Sequence, residues 1–341
     1  MTRIITSQTN IQYLSGFTGS VAVLIEQDRS FQLIVDGRYT RQAKSEVRKG
    51  IKVVEAPLSS TLLEAAVKAL SGKKVSEIGY EDDKLDVASF NKLQMKFPKV
   101  KFYSISSRLR DQRCVKNAGE IEMIKKAALI ADLTYDCVIR IIKPGMTELE
   151  ISAHIDYLIK TFKGNAPAFE TLVSSGELSA NPHGKPTDKK VKAGEFVLMD
   201  FGARYKGYNS DITRMISIGA PSKKALKVYN AILSAISAAV SKVKDGVVAS
   251  EVDKAAREML RKEKLDKYFS HATGHGVGLQ VHEGPRISSS SRDILKEGMV
   301  ITIEPGVYLP HVGGFRVEDM VLVKKNGCEL LTRSSKKLEV L

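Results

Sequence analysis

Cysteine is scarce in this chain. Cys114, Cys137 and Cys328 are odd in number, widely spaced and contain no C-x-x-C pair. A disulfide framework or a zinc-thiolate site fits such spacing badly, and a reduced, cytoplasmic setting fits it well. Long apolar runs are missing too. No stretch approaches the ~18 apolar residues of a membrane span, and the opening MTRIITSQTN lacks the apolar run of a signal peptide. There is no basic tail and no basic run interleaved with aromatics, despite a net charge of +14. The positive charge is spread along the chain, as in Lys73-Lys74, Lys189-Lys190, Lys223-Lys224 and Lys336-Lys337. That pattern describes a solvated basic surface and not the footprint of a nucleic-acid partner. A membrane partner is excluded on the same reading.

What is present describes an ordinary globular protein: 341 residues, 43% hydrophobic and 27% charged. The length suits two domains at one per ~150 residues. Residues 1–112 alternate short strands with helices and predict a small α/β domain. Phe31–Asp36 and Val100–Ile105 read as strands, and Thr61–Leu70 and Val87–Met95 have helical spacing of apolar positions. From 113 to 341 longer helices dominate, so the chain as a whole is α+β. Asn117-Ala-Gly-Glu120 is a capping box that starts a helix running towards Ile142. Thr147-Glu-Leu-Glu150 caps a second helix, ending near Phe162.

The later half repeats this plan. KPGMTELEI at 143–151 resembles KDGVVASEV at 244–252, where Ser250 and Asp253 are the expected cap. FVLMDFG at 196–202 parallels VITIEPG at 300–306. The period of about a hundred residues is too long for a solenoid and implies two related halves about a pseudo-twofold axis. The repeat aligns Asp200 with Glu304, each followed two residues on by Gly202 or Gly306. It also aligns Asp211 with Glu318, on the strands that return. A turn near Arg204–Gly207 sets Asp200 roughly opposite Asp211, and His311 marks the midpoint between Glu304 and Glu318. Opposed residues in an antiparallel pair sit about 5 Å apart, where like charges destabilise. Four carboxylates cannot share a partly buried cleft at neutral pH without protonating or binding cations.

Histidine supplies the third element. Three of the six histidines, His271, His275 and His282, fall within twelve residues, and glycines flank His275. One imidazole with four carboxylates is a hard, oxygen-rich set suited to two divalent ions. A water between them would be deprotonated at neutral pH and a carbonyl polarised. The alternative for Gly274-x-Gly276-x-Gly278, a phosphate cradle, lacks the Rossmann spacing and a preceding strand. His154, in mid-helix, and His311, in a turn, carry no such signal.

These residues resemble the pita-bread metallopeptidases, the family of methionine aminopeptidase, aminopeptidase P and prolidase. The motifs that carry the likeness are Asn181-Pro-His183-Gly, Met199-Asp200-Phe-Gly-Ala, Ser210-Asp211-Ile-Thr-Arg214, Gly274-His275-Gly-Val-Gly278, Ile303-Glu304-Pro-Gly306 and Arg316-Val-Glu318-Asp. A weaker likeness in Asn10–Ser20 and Asp36-Gly-Arg-Tyr39 points to the creatinase/prolidase branch, which carries an extra N-terminal domain. Only nine residues precede Asn10, so the helix that usually leads that domain is expected to be missing. The resemblance implies a pita-bread catalytic domain over 113–341 and a homodimer.

It also implies metal ligands at Asp200, Asp211, His275, Glu304 and Glu318. Asp211 and Glu318 would bridge two ions, with Asp200 on one and His275 and Glu304 on the other. Mn²⁺ or Co²⁺ come ahead of Fe²⁺ or Zn²⁺. Glu304 would take a proton from the attacking water, and His183 and His282 would steady the scissile carbonyl. Arg286 and Arg316 would anchor a substrate carboxylate or orient the ligands.

The activity so implied is hydrolysis of the bond between an N-terminal residue and a following proline by a metal-bridging hydroxide. An Xaa-Pro bond has no N–H, so peptidases that need that donor bind it poorly. The aminopeptidase P type, acting on longer proline-containing peptides, is the first reading; a prolidase restricted to dipeptides is the alternative. A metal-free creatinase-like hydrolase or a non-enzymatic binding relative would be expected to have lost ligands, and this chain keeps all five.

Overall fold

The computed structural model describes residues 2–341, in two compact units that divide between Arg113 and Cys114. The first unit is built on a mixed sheet of six strands. Their order is Ile51–Glu55, Ser30–Val35, Val23–Gln27, Thr2–Ile5, Glu77–Tyr80 and Lys101–Ser104. Successive side chains of a strand face opposite ways. Ile5, Leu24 and Leu33 accordingly enter one apolar cluster, and Ile4, Ile25 and Ile34 another on the opposite face. The strand Thr2–Ile5 lies inside the sheet, pairing with Val23–Gln27 and Glu77–Tyr80. The helix Gln8–Ser15 follows it. Buried Glu81 holds the start of that helix, accepting from the N–H groups of Thr6 and Ser7 at 2.6 and 2.9 Å.

The second unit bears out most of the local expectations. Helix Ala118–Val138 starts on the Asn117–Glu120 capping box and helix Glu148–Thr161 on the Thr147–Glu150 box. Such a cap stabilises a helix by about 1 kcal/mol. The first helix stops at Val138, four residues short of the expected Ile142. The expected cap at Ser250 and Asp253 is corrected. Helix Ala249–Lys262 has Val248 at its cap position, with no side-chain bond. Its first N–H, of Ala249, donates to the Asp293 carbonyl. Backbone thus satisfies the helix start, and Asp253 is left for another task.

The duplication is visible in the backbone bonds. Gly145 N–H donates to Val191 and Gly246 N–H to Leu295, each glycine with positive φ. Val191 and Leu295 return bonds to Met146 and Val247. Each half carries an antiparallel sheet. One runs Glu339–Val340, Ile212–Ser217, Phe196–Phe201, Leu172–Ser175. The other runs Glu283–Ile287, Gly274–Gly276, Val300–Ile303, Asp319–Lys324, Gly327–Leu330. Alternate residues of the central strands pack beneath the helices, Val197 and Ile216 in one cluster and Ile301, Ile303 and Val321 in another.

Arg214 joins the halves. Its side chain is fully buried and its guanidinium pairs with the Asp319 carboxylate at 2.7 Å. It also donates to the carbonyls of Thr213, Glu318 and Ser334. Breaking one side of such a pair strands a charge in low dielectric. Arg214→Met is therefore expected to lower the unfolding free energy by about 3–5 kcal/mol in urea titrations. A loss within experimental error would show that this ion pair does not hold the two sheets together.

Candidate metal centre

The strand Phe196–Phe201 delivers Asp200 and the strand Ile212–Ser217 starts just after Asp211. Their register differs from the expected one: Asp200 pairs with Thr213, and Phe201 with Ile212. The cause is the turn. Tyr205 pairs with Tyr208, leaving Lys206-Gly207 as a two-residue turn with both residues at positive φ, and the same register carries back to Asp200 and Thr213. A Cβ on Gly202 would sit 1.9 Å from the Ser210 carbonyl oxygen, so the two strands lie close there. Asp200 and Asp211 are therefore staggered and not opposed. In the other half Ile303 pairs with Asp319, and the next step outward in that register sets Glu304 against Glu318 as expected.

The five residues singled out in the sequence come together. Ligand atoms of Asp211, His275 and Glu318 lie within 4.8 Å of one another. His275 Nε2 is 3.7 Å from Asp211 Oδ2 and 3.5 Å from Glu304 Oε1. Asp200 is close enough that its charge raises the pKa of Asp211, Glu304 and Glu318. Burial is the larger cause at each of these three, and it pushes Glu304 up to about 7. Glu318 further opposes Asp211, and Glu304 further opposes Glu318.

The donor set fits divalent cations on two further observations. Asp200 Oδ1 is buried and accepts no hydrogen bond. His275 Nδ1 lies 3.1 Å from the Gly276 carbonyl, to which it can only donate. That bond assigns the tautomer and turns the Nε2 lone pair towards the carboxylates, the usual arrangement of a metal-binding imidazole. Burial, with His282 adding to it, lowers the His275 pKa to about 4 and keeps the ring neutral.

Around this cluster stands a chain of buried hydrogen bonds. Arg316 donates from Nη2 to Asp200 Oδ2 at 2.5 Å, from Nη1 to the Tyr308 hydroxyl at 2.7 Å and from Nε to Thr213 Oγ1 at 3.1 Å. Thr213 Oγ1 in turn donates to Glu318 at 2.7 Å. Tyr308 donates to His271 Nε2 at 2.9 Å, because His271 Nδ1 is spent on the Ala272 carbonyl. Burial lowers the His271 pKa to about 4, so it stays the neutral acceptor.

Arg316, 3% exposed, thus has each of its nitrogens engaged inside the protein. This geometry suits orientation of Asp200, the second of the two roles expected of Arg316, better than anchoring of a substrate carboxylate. Arg286 is exposed and pairs with His275 across the strands. His183 is exposed on the loop after the short helix Gly176–Ala180. His282 is also open to solvent, its ring edge-on to His275 at 4.3 Å between centroids. His311 sits exposed at the hairpin turn after Leu309, with φ 61°. Tyr308 was not foreseen. Its one sequence signal is Gly306, where a Cβ would lie 2.8 Å from the Tyr308 hydroxyl and 3.0 Å from His271 Nε2.

Residues 122–325 match Metallopeptidase family M24, and residues 2–115 match the Creatinase/Prolidase N-terminal domain. The chain belongs to metallopeptidase family M24 and has the creatinase-type N-terminal domain followed by the pita-bread catalytic domain. It is 38% identical over 336 residues to a protein of Pyrococcus furiosus named Xaa-Pro dipeptidase, covering 98% of this chain and 94% of that one. Among solved structures it resembles a Xaa-Pro dipeptidase from Bacillus anthracis at TM-score 0.95 and 34% identity, covering 100% of this chain and 95% of that one. It also resembles an X-Pro aminopeptidase from Thermotoga maritima at TM-score 0.93 and 36% identity, covering 100% of this chain and 97% of that one. No helix among the described residues is long and apolar enough to cross a membrane.

Proposed function

We propose that this protein is a metal-dependent Xaa-Pro dipeptidase. The observation that carries the metallopeptidase chemistry is the convergence of Asp200, Asp211, His275, Glu304 and Glu318 from both halves of the duplicated unit. The dipeptidase restriction, the alternative in the sequence reading, replaces the aminopeptidase P type as the first choice. It is supported by full-length relatives named Xaa-Pro dipeptidase at 37% and 38% identity. The Thermotoga likeness keeps the aminopeptidase as the second reading.

Asp200, Asp211, His275, Glu304 and Glu318 would hold two divalent ions. When bound, such ions supply Lewis acidity and acidify water at neutral pH. Glu304, half-buried beside the other carboxylates and 3.5 Å from His275, would take and return the proton of the attacking water. Arg316 fixes the Asp200 carboxylate, and Thr213 fixes that of Glu318. His183 and His282, on the open side, would hold the scissile carbonyl and donate to the oxyanion. Arg286, exposed beside His275, is the arginine available for a proline carboxylate. The protein is expected to act as a homodimer in the cytoplasm.

Cleavage of Ala-Pro compared with Ala-Pro-Pro-Ala, with Mn²⁺ added, separates the two readings. The expected result is rapid release of proline from the dipeptide and little attack on the tetrapeptide. Faster cleavage of the tetrapeptide would return the aminopeptidase, and hydrolysis of neither would reject an Xaa-Pro peptidase.

A further inference from the structure

Glu148 has no part in the chemistry so far described, yet its carboxylate is buried at 0% exposure with four hydrogen bonds. It sits in the first turn of helix Glu148–Thr161, where the helix dipole favours a negative charge. Its two oxygens divide their work. Oε1 accepts from the N–H and Oγ of Ser175 at 2.7 and 2.8 Å. Oε2 accepts from the N–H and Oγ1 of Thr187 at 3.1 and 2.7 Å. Ser175 and Thr187 are the two ends of one loop, and that loop carries Asn181-Pro182-His183.

The rest of the loop reaches the metal centre. A Cβ on Gly314 would lie 1.9 Å from the Ser179 carbonyl oxygen, and Gly314 N–H donates to Ser179 Oγ at 2.8 Å. The Pro182 carbonyl accepts from Arg316 Nη1 at 3.4 Å, the guanidinium that also holds Asp200. His183 acts electrostatically on Asp200, His271 and His282. His183 itself is exposed, and the loop around it is closed by the Glu148 bonds and by Ser174 Oγ, which donates to the Gly184 carbonyl at 3.0 Å.

We propose that Glu148 is a positioning residue for the reaction: by pinning Ser175 and Thr187 together it holds His183 over the carboxylate cluster. This rests on the reading of the site as an Xaa-Pro peptidase. Opening the clamp frees the loop to sample many conformations, and misplacement by about 1 Å can cost on the order of 10²-fold in rate.

The test uses the full chain and begins with wild-type cleavage of Ala-Pro in Mn²⁺. Glu148→Gln replaces one acceptor oxygen by an NH₂ that faces donors. It is expected to lower kcat/KM by about 10- to 100-fold in the presence of His183 and by less than about twofold in a His183→Ala background. Amide hydrogen exchange, with and without metal, is expected to quicken about tenfold or more across 175–187. Phe196–Phe201 and Ile212–Ser217 should keep their protection.

Thr187→Val, which removes one donor at the loop's far end, should show the same pattern more weakly. It carries the test should Glu148→Gln fail to fold. Equal losses of kcat/KM with and without His183, or unchanged exchange across 175–187, would overturn the proposal. If the wild type cleaves no Xaa-Pro peptide, the functional reading falls, and the exchange measurement still decides whether Glu148 clamps the loop.

Discussion

Stripped of divalent ions by a chelator, the protein is expected to lose thermal stability as pH rises from about 6.5 through about 7. The sign follows from Glu304. Its carboxyl titrates near 4.5 in an unfolded chain and near 7 in the metal-free native state. Below about pH 6.5 the depressed His271 and His275 act the other way, because there the unfolded chain binds the protons. Above it the native protein still holds the Glu304 proton that the unfolded chain has released, so raising the pH favours unfolding. Asp211 and Glu318 are raised in the same direction, first by burial and then by neighbouring carboxylates. Divalent ions reverse the sign of the local field and bind only the folded state, so adding excess Mn²⁺ should restore the Tm at neutral pH. The measurement is a set of calorimetric scans at several pH values, with and without chelator. A chelated protein whose Tm is flat across that window would count against a cation-free cluster of repelling acids.

Asp211→Asn is expected to lower kcat by about 10³-fold or more, the scale seen when one member of a group acting as a unit is lost. Asp211 is only 4% exposed and lies with His275 and Glu318 in one tight group, so no solvent-borne ligand can easily take its place. The same substitution should have the opposite effect on the chelated protein. Asp211 is opposed by Glu318, Asp200 and Glu304, and removing its charge relieves all three. Above about pH 7 chelated Asp211→Asn should therefore melt higher than chelated wild type, and added Mn²⁺ should raise its Tm less. Near-wild-type turnover in this variant would remove Asp211 from the centre. A lower Tm without metal would instead point to a misfolded protein.

Local features were readable from the chain because their causes are local. The capping boxes at Asn117–Glu120 and Thr147–Glu150 form within a single helical turn and are present as expected. Helix Ala249–Lys262 shows where such reading stops. Asp253 stands where a cap could be sought, but its carboxylate accepts from Thr273 at 2.7 Å and pairs with Arg257 at 2.8 Å. Arg257 then donates to the carbonyls of Phe269 and His271, bracing the segment ahead of His275. Arg257 is one helical turn from Asp253, but the other partners are 12 to 20 residues away in the chain, beyond any local pattern.

The stagger of Asp200 and Asp211 has a local cause of another kind. It depends on where the tight turn sits: centred on Lys206-Gly207 and not one residue earlier, it sets Asp200 against Thr213 in place of Asp211. Tyr308 and Glu148 were equally silent, since a tyrosine after a glycine or a glutamate in a first helical turn has many ordinary uses.

By itself the sequence determined the two-part organisation of the second unit and the five residues that meet in it. A duplicated strand must present equivalent positions at its end, so the acids of one copy announce those of the other. The tertiary structure decided the rest: which carboxylates face one another, which arginine is committed inward and which stays free, and what holds His183 in place. Those are matters of register and of contacts between distant segments, where a shift of one or two residues redirects a side chain without altering any local signal.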